Sequence, residues 1–148
     1  MREADNSLAA AVVGHGFIDR VGMTSNLELK SLRSVILVIK RRASTEQLKD
    51  MLQVLGDYVK LAVDVRRNIL AGGGVLHADC ESALLEDGSQ QVDVWGADWV
   101  PRTQEVTYES LINIRPRQGN RGLELLDPEL RATVERIARE WLGGVPHE

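Results

Sequence analysis

Several things are scarce in this chain, and each scarcity removes a class of protein. There is a single cysteine, Cys80, in 148 residues, so no intramolecular disulfide forms and the fold rests on its core. A basic excess is missing. With 18 Lys/Arg against 22 Asp/Glu the net charge is −4, which argues against a general nucleic-acid binder. No apolar run reaches the roughly 18 residues that a membrane span needs, so no membrane partner is expected. Residues 113–122 contain glycine and arginine but lack the Gly-Lys-Ser/Thr ending of a P-loop. No glycine-flanked serine stands in Ser-His-Asp order. No second His/Cys cluster accompanies His77 and Cys80, so neither a metal nor a cofactor is expected. Aromatic residues make up only 4%, which makes each tryptophan worth locating.

What is present describes one globular domain. Hydrophobic residues are 43% of the chain, enough to offset chain entropy. The charge is unevenly spread. Residues 1–78 hold 11 Lys/Arg against 8 Asp/Glu, a net +3, and residues 79–148 hold 7 against 14, a net −7. From Asp79 to Asp98 there are six acids and no base, and from Arg115 to Arg121 three arginines and no acid. Such runs are ordinarily solvated faces. The alternative is an acidic patch meeting an arginine loop, within the fold or across a dimer.

The first 31 residues read as a loose tail. Leu8–Val13 is a short, alanine-rich apolar run, but Glu3 and Asp5 outweigh Arg2, so the basic start of a secretory signal is missing. A cytoplasmic protein is expected. The domain is expected over 32–144, with a short tail at 145–148.

Within it, strands and helices alternate. Ser34–Ile39 is a continuous β-branched run, as in a strand buried on both faces. Ser44 and Gln47 have the spacing of a capping box, and Leu48, Met51, Leu52 and Leu55 form one helical stripe ended by Gly56. Tyr58–Asp64 and Ile69–Ala71 read as strands joined by a turn in which Asn68 accepts positive φ. Gly72–Gly74 bends the second, and Val75-Leu76 continues it. Asp79 caps a short helix that Gly88 stops. Gln91–Trp99 and Val106–Ile114 read as two more strands, and Asp127-Pro128 opens a last helix. The sum is an α+β, two-layer domain: a mostly antiparallel sheet of about five strands, covered by two main helices and one short one.

Three places carry candidate chemistry. His77, Asp79, Cys80 and Glu81 crowd into five residues and could supply a metal ligand or an acid–base group. The plainer reading makes Asp79 a cap and His77 a hydrogen-bonding residue at a strand end. The stretch 113–122 is a candidate anion site, with Arg115, Arg117, Asn120 and Arg121 offering forked donors to a carboxylate or phosphate. Its plainer reading is a hub of internal salt bridges, with Arg115 held by Asp64, Asp79 or Asp93. Trp95 and Trp99 lie on one face of a strand; they are core residues or the anchors of an interface.

The same residues carry a family resemblance over about 36–142. The stretches are Val63–Val65 through to Leu76–Asp79, Leu84–Gln90 leading into Val94–Gly96, and Ser110–Pro116 with Gln118–Arg121. In these the chain resembles a family of short, uncharacterised prokaryotic proteins known as a domain of unknown function. The resemblance implies a compact domain and a prokaryotic cytoplasmic setting, and supplies no activity. Cys80 and Gly122 depart from it, standing where an acid and a serine are expected.

Two functions follow. The first is a non-enzymatic binding or regulatory module that forms a homo-oligomer through Trp95 and Trp99 or a strand edge. The second is a small hydrolase or phosphate-ligand enzyme. In it His77 is the acid–base group, Asp64 or Asp79 orients it or holds a metal, and Arg115 and Arg121 neutralise a small anionic ligand.

Overall fold

A computed structural model describes residues 7–12, as backbone, and residues 35–148. Its centre is an antiparallel sheet. Five strands lie between residues 35 and 107: β2 (Val35–Ile39), β3 (Val59–Asp64), β4 (Ile69–Gly72), β5 (Val94–Val100) and β6 (Glu105–Thr107). Residues 7–12 form a further strand, β1 (Ser7–Val12), antiparallel to β2 at the sheet's edge. That puts part of the expected tail on the sheet; the rest of residues 1–31 falls outside the described residues. The order across the sheet is β1-β2-β4-β3-β5-β6.

Three helices pack on it. They are α1 (Thr45–Met51), α2 (His77–Glu86) and α3 (Pro128–Leu142). The α+β class and antiparallel pairing stand as expected, but the layering differs. Side chains alternate across a strand. Leu37, Leu61 and Trp99 pack with α1 and α3, including Leu48, Met51 and Ile137, in one cluster. Ile36, Val38 and Ala62 pack with Cys80, Ala83 and Leu84 of α2 in another. Helices therefore cover both faces, in three layers rather than two. The central strands are buried on both sides, which is why β2 reads as a continuous apolar run.

Local chemistry accounts for the elements. The Ser44 hydroxyl accepts from the Gln47 N–H, and the Gln47 side chain accepts from the Ser44 N–H, closing the capping box. Asp127 caps α3 in front of Pro128. Asn68 takes φ +62° in the β3–β4 turn, its side chain and carbonyl held by Arg136 and the Trp141 indole. Beyond Gly72 the chain leaves the sheet instead of continuing through Val75-Leu76. Gly73 sits at φ +109°, where a Cβ would lie 2.1 Å from the Val35 carbonyl oxygen. Leu76, not Asp79, is the N-cap of α2, and no side chain caps it. At the other end Val145, expected in a tail, is 3% exposed and joins the core.

The largest departure follows β6. The expected strand 106–114 stops at Thr107. The chain then turns back over β5 as a loop, residues 110–126, with short 3-10 turns at Leu111–Asn113 and Pro116–Gln118. Bending over β5 serves polar groups that a straight strand would leave unpaired.

Candidate functional site

Some of the singled-out polar residues meet at β5. Arg115 and Asn113 serve Val94 and Gly96 on the margin that β6 leaves open, and His77 meets the strand further along, at Ala97 and Asp98. At Val94, Arg115 donates through a guanidinium nitrogen to the carbonyl. Its other N–H groups reach the Gln91 carbonyl at 2.7 Å and the Ile112 carbonyl at 3.0 Å. Glu81 of α2 stands 3.7 Å away, and the guanidinium lies 4.4 Å from the centre of the Trp95 ring. Burial pulls the Arg115 pKa down, opposed by the Glu81 charge.

At Gly96, Asn113 acts as a substitute strand. Its side-chain oxygen accepts from the Gly96 N–H at 2.8 Å, and its amide donates to the Gly96 carbonyl at 3.1 Å. The same amide also reaches the Tyr108 and Leu123 carbonyls. The approach requires glycine. A Cβ on residue 96 would lie 2.5 Å from both Cβ and Oγ of Ser110. Asn120 performs the matching task inside the loop, donating to the Asn113, Gly122 and Glu124 carbonyls and accepting from the Leu126 N–H.

Further along, His77 opens α2 and meets β5. Its Nε2 lies 2.8 Å from Asp98 Oδ1 and 3.1 Å from the Ala97 carbonyl oxygen. The Thr107 hydroxyl donates to Asp98 Oδ2 at 3.2 Å. The two side chains are 11% and 17% exposed.

These placements revise the sequence reading residue by residue. Arg115 and Asn120, expected to bind an anion, spend their donors on backbone carbonyls and are closed to a ligand. The internal hub is real, but its acid is Glu81 rather than Asp64, Asp79 or Asp93. Only Arg117 and Arg121 of that group are exposed. Trp95 and Trp99, at 3% and 0% exposure, lie in the core and cannot anchor a partner. Asp64 is fully buried. Its Oδ1 accepts from the Arg66 and Arg67 N–H groups in the β3–β4 turn, and its Oδ2 has no partner. Lys60 is the residue opposite Asp98, and Asp64 lies four positions further along β3, about 13 Å, so it does not orient His77. Asp79 lies in the first turn of α2, favourable to the helix dipole, with no bond to His77.

His77 and Arg115 do not share a cleft either. They bond carbonyls three residues apart on β5, about 10 Å. Sequence reasoning missed Asp98 as the partner of His77. The available signal was an acid between two tryptophans on an otherwise buried strand. Cys80 is fully buried, and desolvation raises its pKa to about 12, so it is inert as a nucleophile.

Among the described residues, no group of three or more His, Cys, Asp and Glu side chains could hold a metal ion. No helix among them is long and apolar enough to cross a membrane.

The outer surface of the 110–126 loop is unlike its inner one. Leu111 is 75% exposed, with Ile114 and Leu123 each at 43%. Leu111 and Ile114 stand three apart on a 3-10 turn and so point the same way, and the Leu123 carbonyl bonds the Ser110 N–H beside them. One end of this surface carries Glu109, its backbone bridged beside β6 to that of Glu124, whose carboxylate is ion-paired with Arg131 of α3 at 3.2 Å. The other carries Arg117 and Arg121.

A family model described as a protein of unknown function (DUF5674) matches residues 37–141. No curated protein and no solved structure matches the chain.

Proposed function

The chain belongs to the DUF5674 family of proteins of unknown function, and from the geometry of its loop we propose that it is a non-enzymatic binding module that pairs with a second copy of itself through the outer surface of residues 110–126. One observation carries this reading. The loop is pinned from within by Asn113, Arg115 and Asn120, yet it turns Leu111, Ile114 and Leu123 outward. A pinned backbone loses little entropy on binding, and large apolar groups held in water have a reason to be covered.

Charge selects a second copy as the occupant. The surface is acidic at Glu109, with Glu124 beside it shared with Arg131 of α3, and basic at Arg117 and Arg121, with the apolar residues between. Two copies related by a two-fold axis bring each acidic end to the other's basic end. The loop is smaller than a standard interface of 20–30 residues a side, so the association is weak and concentration-dependent. A prokaryotic cytoplasmic setting fits the single, unpaired cysteine.

The enzymatic alternative is less well supported. It needs Arg115 free for an anion and Asp64 or Asp79 beside His77, whereas Arg115 bonds backbone carbonyls and the acid that meets His77 is Asp98.

The test is a charge-swap complementation followed by sedimentation equilibrium. The wild type should dimerise across the micromolar range. Arg117→Glu with Arg121→Glu should be monomeric, and so should Glu109→Lys with Glu124→Lys. An equimolar mixture of the two variants should restore a dimer. A wild type that stays monomeric, or variants that dimerise alone as well as the wild type does, would overturn the proposal.

A further inference from the structure

We propose that His77 is a phosphoryl-acceptor histidine whose Nδ1 takes a phosphoryl group from a small acyl phosphate or phosphoramidate. The inference concerns a different surface from the pairing loop and does not depend on it. It starts from the tautomer. Nε2 of His77 faces two oxygens that can only accept, Asp98 Oδ1 at 2.8 Å and the Ala97 carbonyl at 3.1 Å. Nε2 therefore carries the proton, and in the neutral ring the lone pair lies on Nδ1. No hydrogen bond engages Nδ1 among the described residues.

Asp98 is itself held in place. Thr107 on β6 donates to its second oxygen at 3.2 Å, so hydroxyl, carboxylate and imidazole form a chain across three elements. A carboxylate on the far nitrogen fixes the ring's orientation and its tautomer. That arrangement suits a nucleophile.

The step balances without further groups. The Nδ1 lone pair attacks phosphorus. The N–P bond forms as the donor's bond to phosphorus breaks, and the leaving carboxylate, or ammonia from N-protonated phosphoramidate, departs with the electron pair. Nε2 keeps its proton, so the ring becomes cationic directly beside Asp98, which stabilises it. His77 is the first residue of α2, the end of a helix at which an anion is favoured. Lys60, opposite Asp98 on β3, adds positive charge on the same side; Asp79 opposes it from the helix's first turn.

The experiment treats the full chain with potassium phosphoramidate, maps the adduct by tandem mass spectrometry and assigns the nitrogen by phosphorus NMR. The chain has two other histidines, His15 and His147, which serve as internal references. Labelling of His77 at Nδ1, faster than at either reference, is the expected result. Asp98→Asn should slow it by about 10- to 100-fold, and Thr107→Ala by less, with the reference sites unchanged. Circular dichroism and melting curves confirm that these variants fold. His77→Gln removes the adduct. Labelling at Nε2, labelling of His77 no faster than the references, or a folded Asp98→Asn variant that reacts at the wild-type rate would each overturn the proposal.

Discussion

Replacing Asn113 with alanine should destabilise the protein by about 3–5 kcal/mol. The figure follows from what its side chain serves. Four hydrogen bonds leave a residue with no exposed surface: to the Gly96 N–H at 2.8 Å, to the Gly96 and Tyr108 carbonyls at 3.1 Å each, and to the Leu123 carbonyl at 3.4 Å. A neutral bond contributes about 1 kcal/mol net, and a buried donor left unsatisfied costs about 1–3 kcal/mol. The terms are not additive, so the total falls short of their sum. Urea unfolding followed by tryptophan fluorescence measures it, and the melting temperature should drop by roughly 10–15 °C. Asn113→Asp is the sharper variant. It keeps the shape and the acceptor for Gly96 but turns a carboxylate toward three carbonyls. Burial and those carbonyls raise its folded-state pKa, so the loss is greatest at neutral pH and shrinks as pH falls through that pKa. A protonated carboxyl recovers one donor. Arg121→Ala, on the exposed side of the same loop, should stay within about 0.5 kcal/mol of wild type. If Asn113→Ala costs less than about 1 kcal/mol, or Asn113→Asp is as stable as wild type at neutral pH, the substitute-strand account fails.

Other predictions follow from the same contacts. Gly96→Ala should cost about 1–3 kcal/mol, because the new Cβ meets Ser110, and hydrogen exchange should speed up across 110–126. Arg115→Lys should lose about 2–3 kcal/mol in thermal unfolding, since a single ammonium cannot reach the Gln91, Ile112 and Val94 carbonyls together. Cys80 is fully buried, so it should resist thiol reagents in the native state and react fully in denaturant. The Asp87 carboxyl is raised by partial burial, but hydrogen bonds and charge from Arg67 and Lys40 outweigh this and hold it below its ordinary value. A carboxyl with a depressed folded-state pKa stabilises the fold above its unfolded value and loses that contribution as pH falls through the folded one. Acid titration of stability should therefore show a loss below about pH 4, and Asp87→Asn should flatten it.

Much of the secondary structure was legible because its causes are local. The Ser44–Gln47 capping box, the Asp127-Pro128 helix start and the positive φ of Asn68 each depend on neighbours within a few residues. The continuous apolar run of β2 also announced a strand buried on both faces. Even so, two layers were expected where three exist, because the pattern of α2 does not say which side of the sheet it will take. The 106–114 segment misled for a related reason. Its alternation is genuine, but Asn113 and Ser110 draw it back over Gly96, a contact that spans 17 residues.

By itself the sequence determined the fold class, the antiparallel strands and most helix ends, and it singled out His77, Asn113, Arg115 and Asn120. Only the tertiary structure decided what they do. A polar side chain's role depends on which partners burial leaves it, and those partners come from elsewhere in the chain. Folding turned Arg115 and Asn120 inward onto backbone carbonyls and buried Trp95 and Trp99. It joined His77 to Asp98 across 21 residues and left Leu111, Ile114, Arg117 and Arg121 facing water.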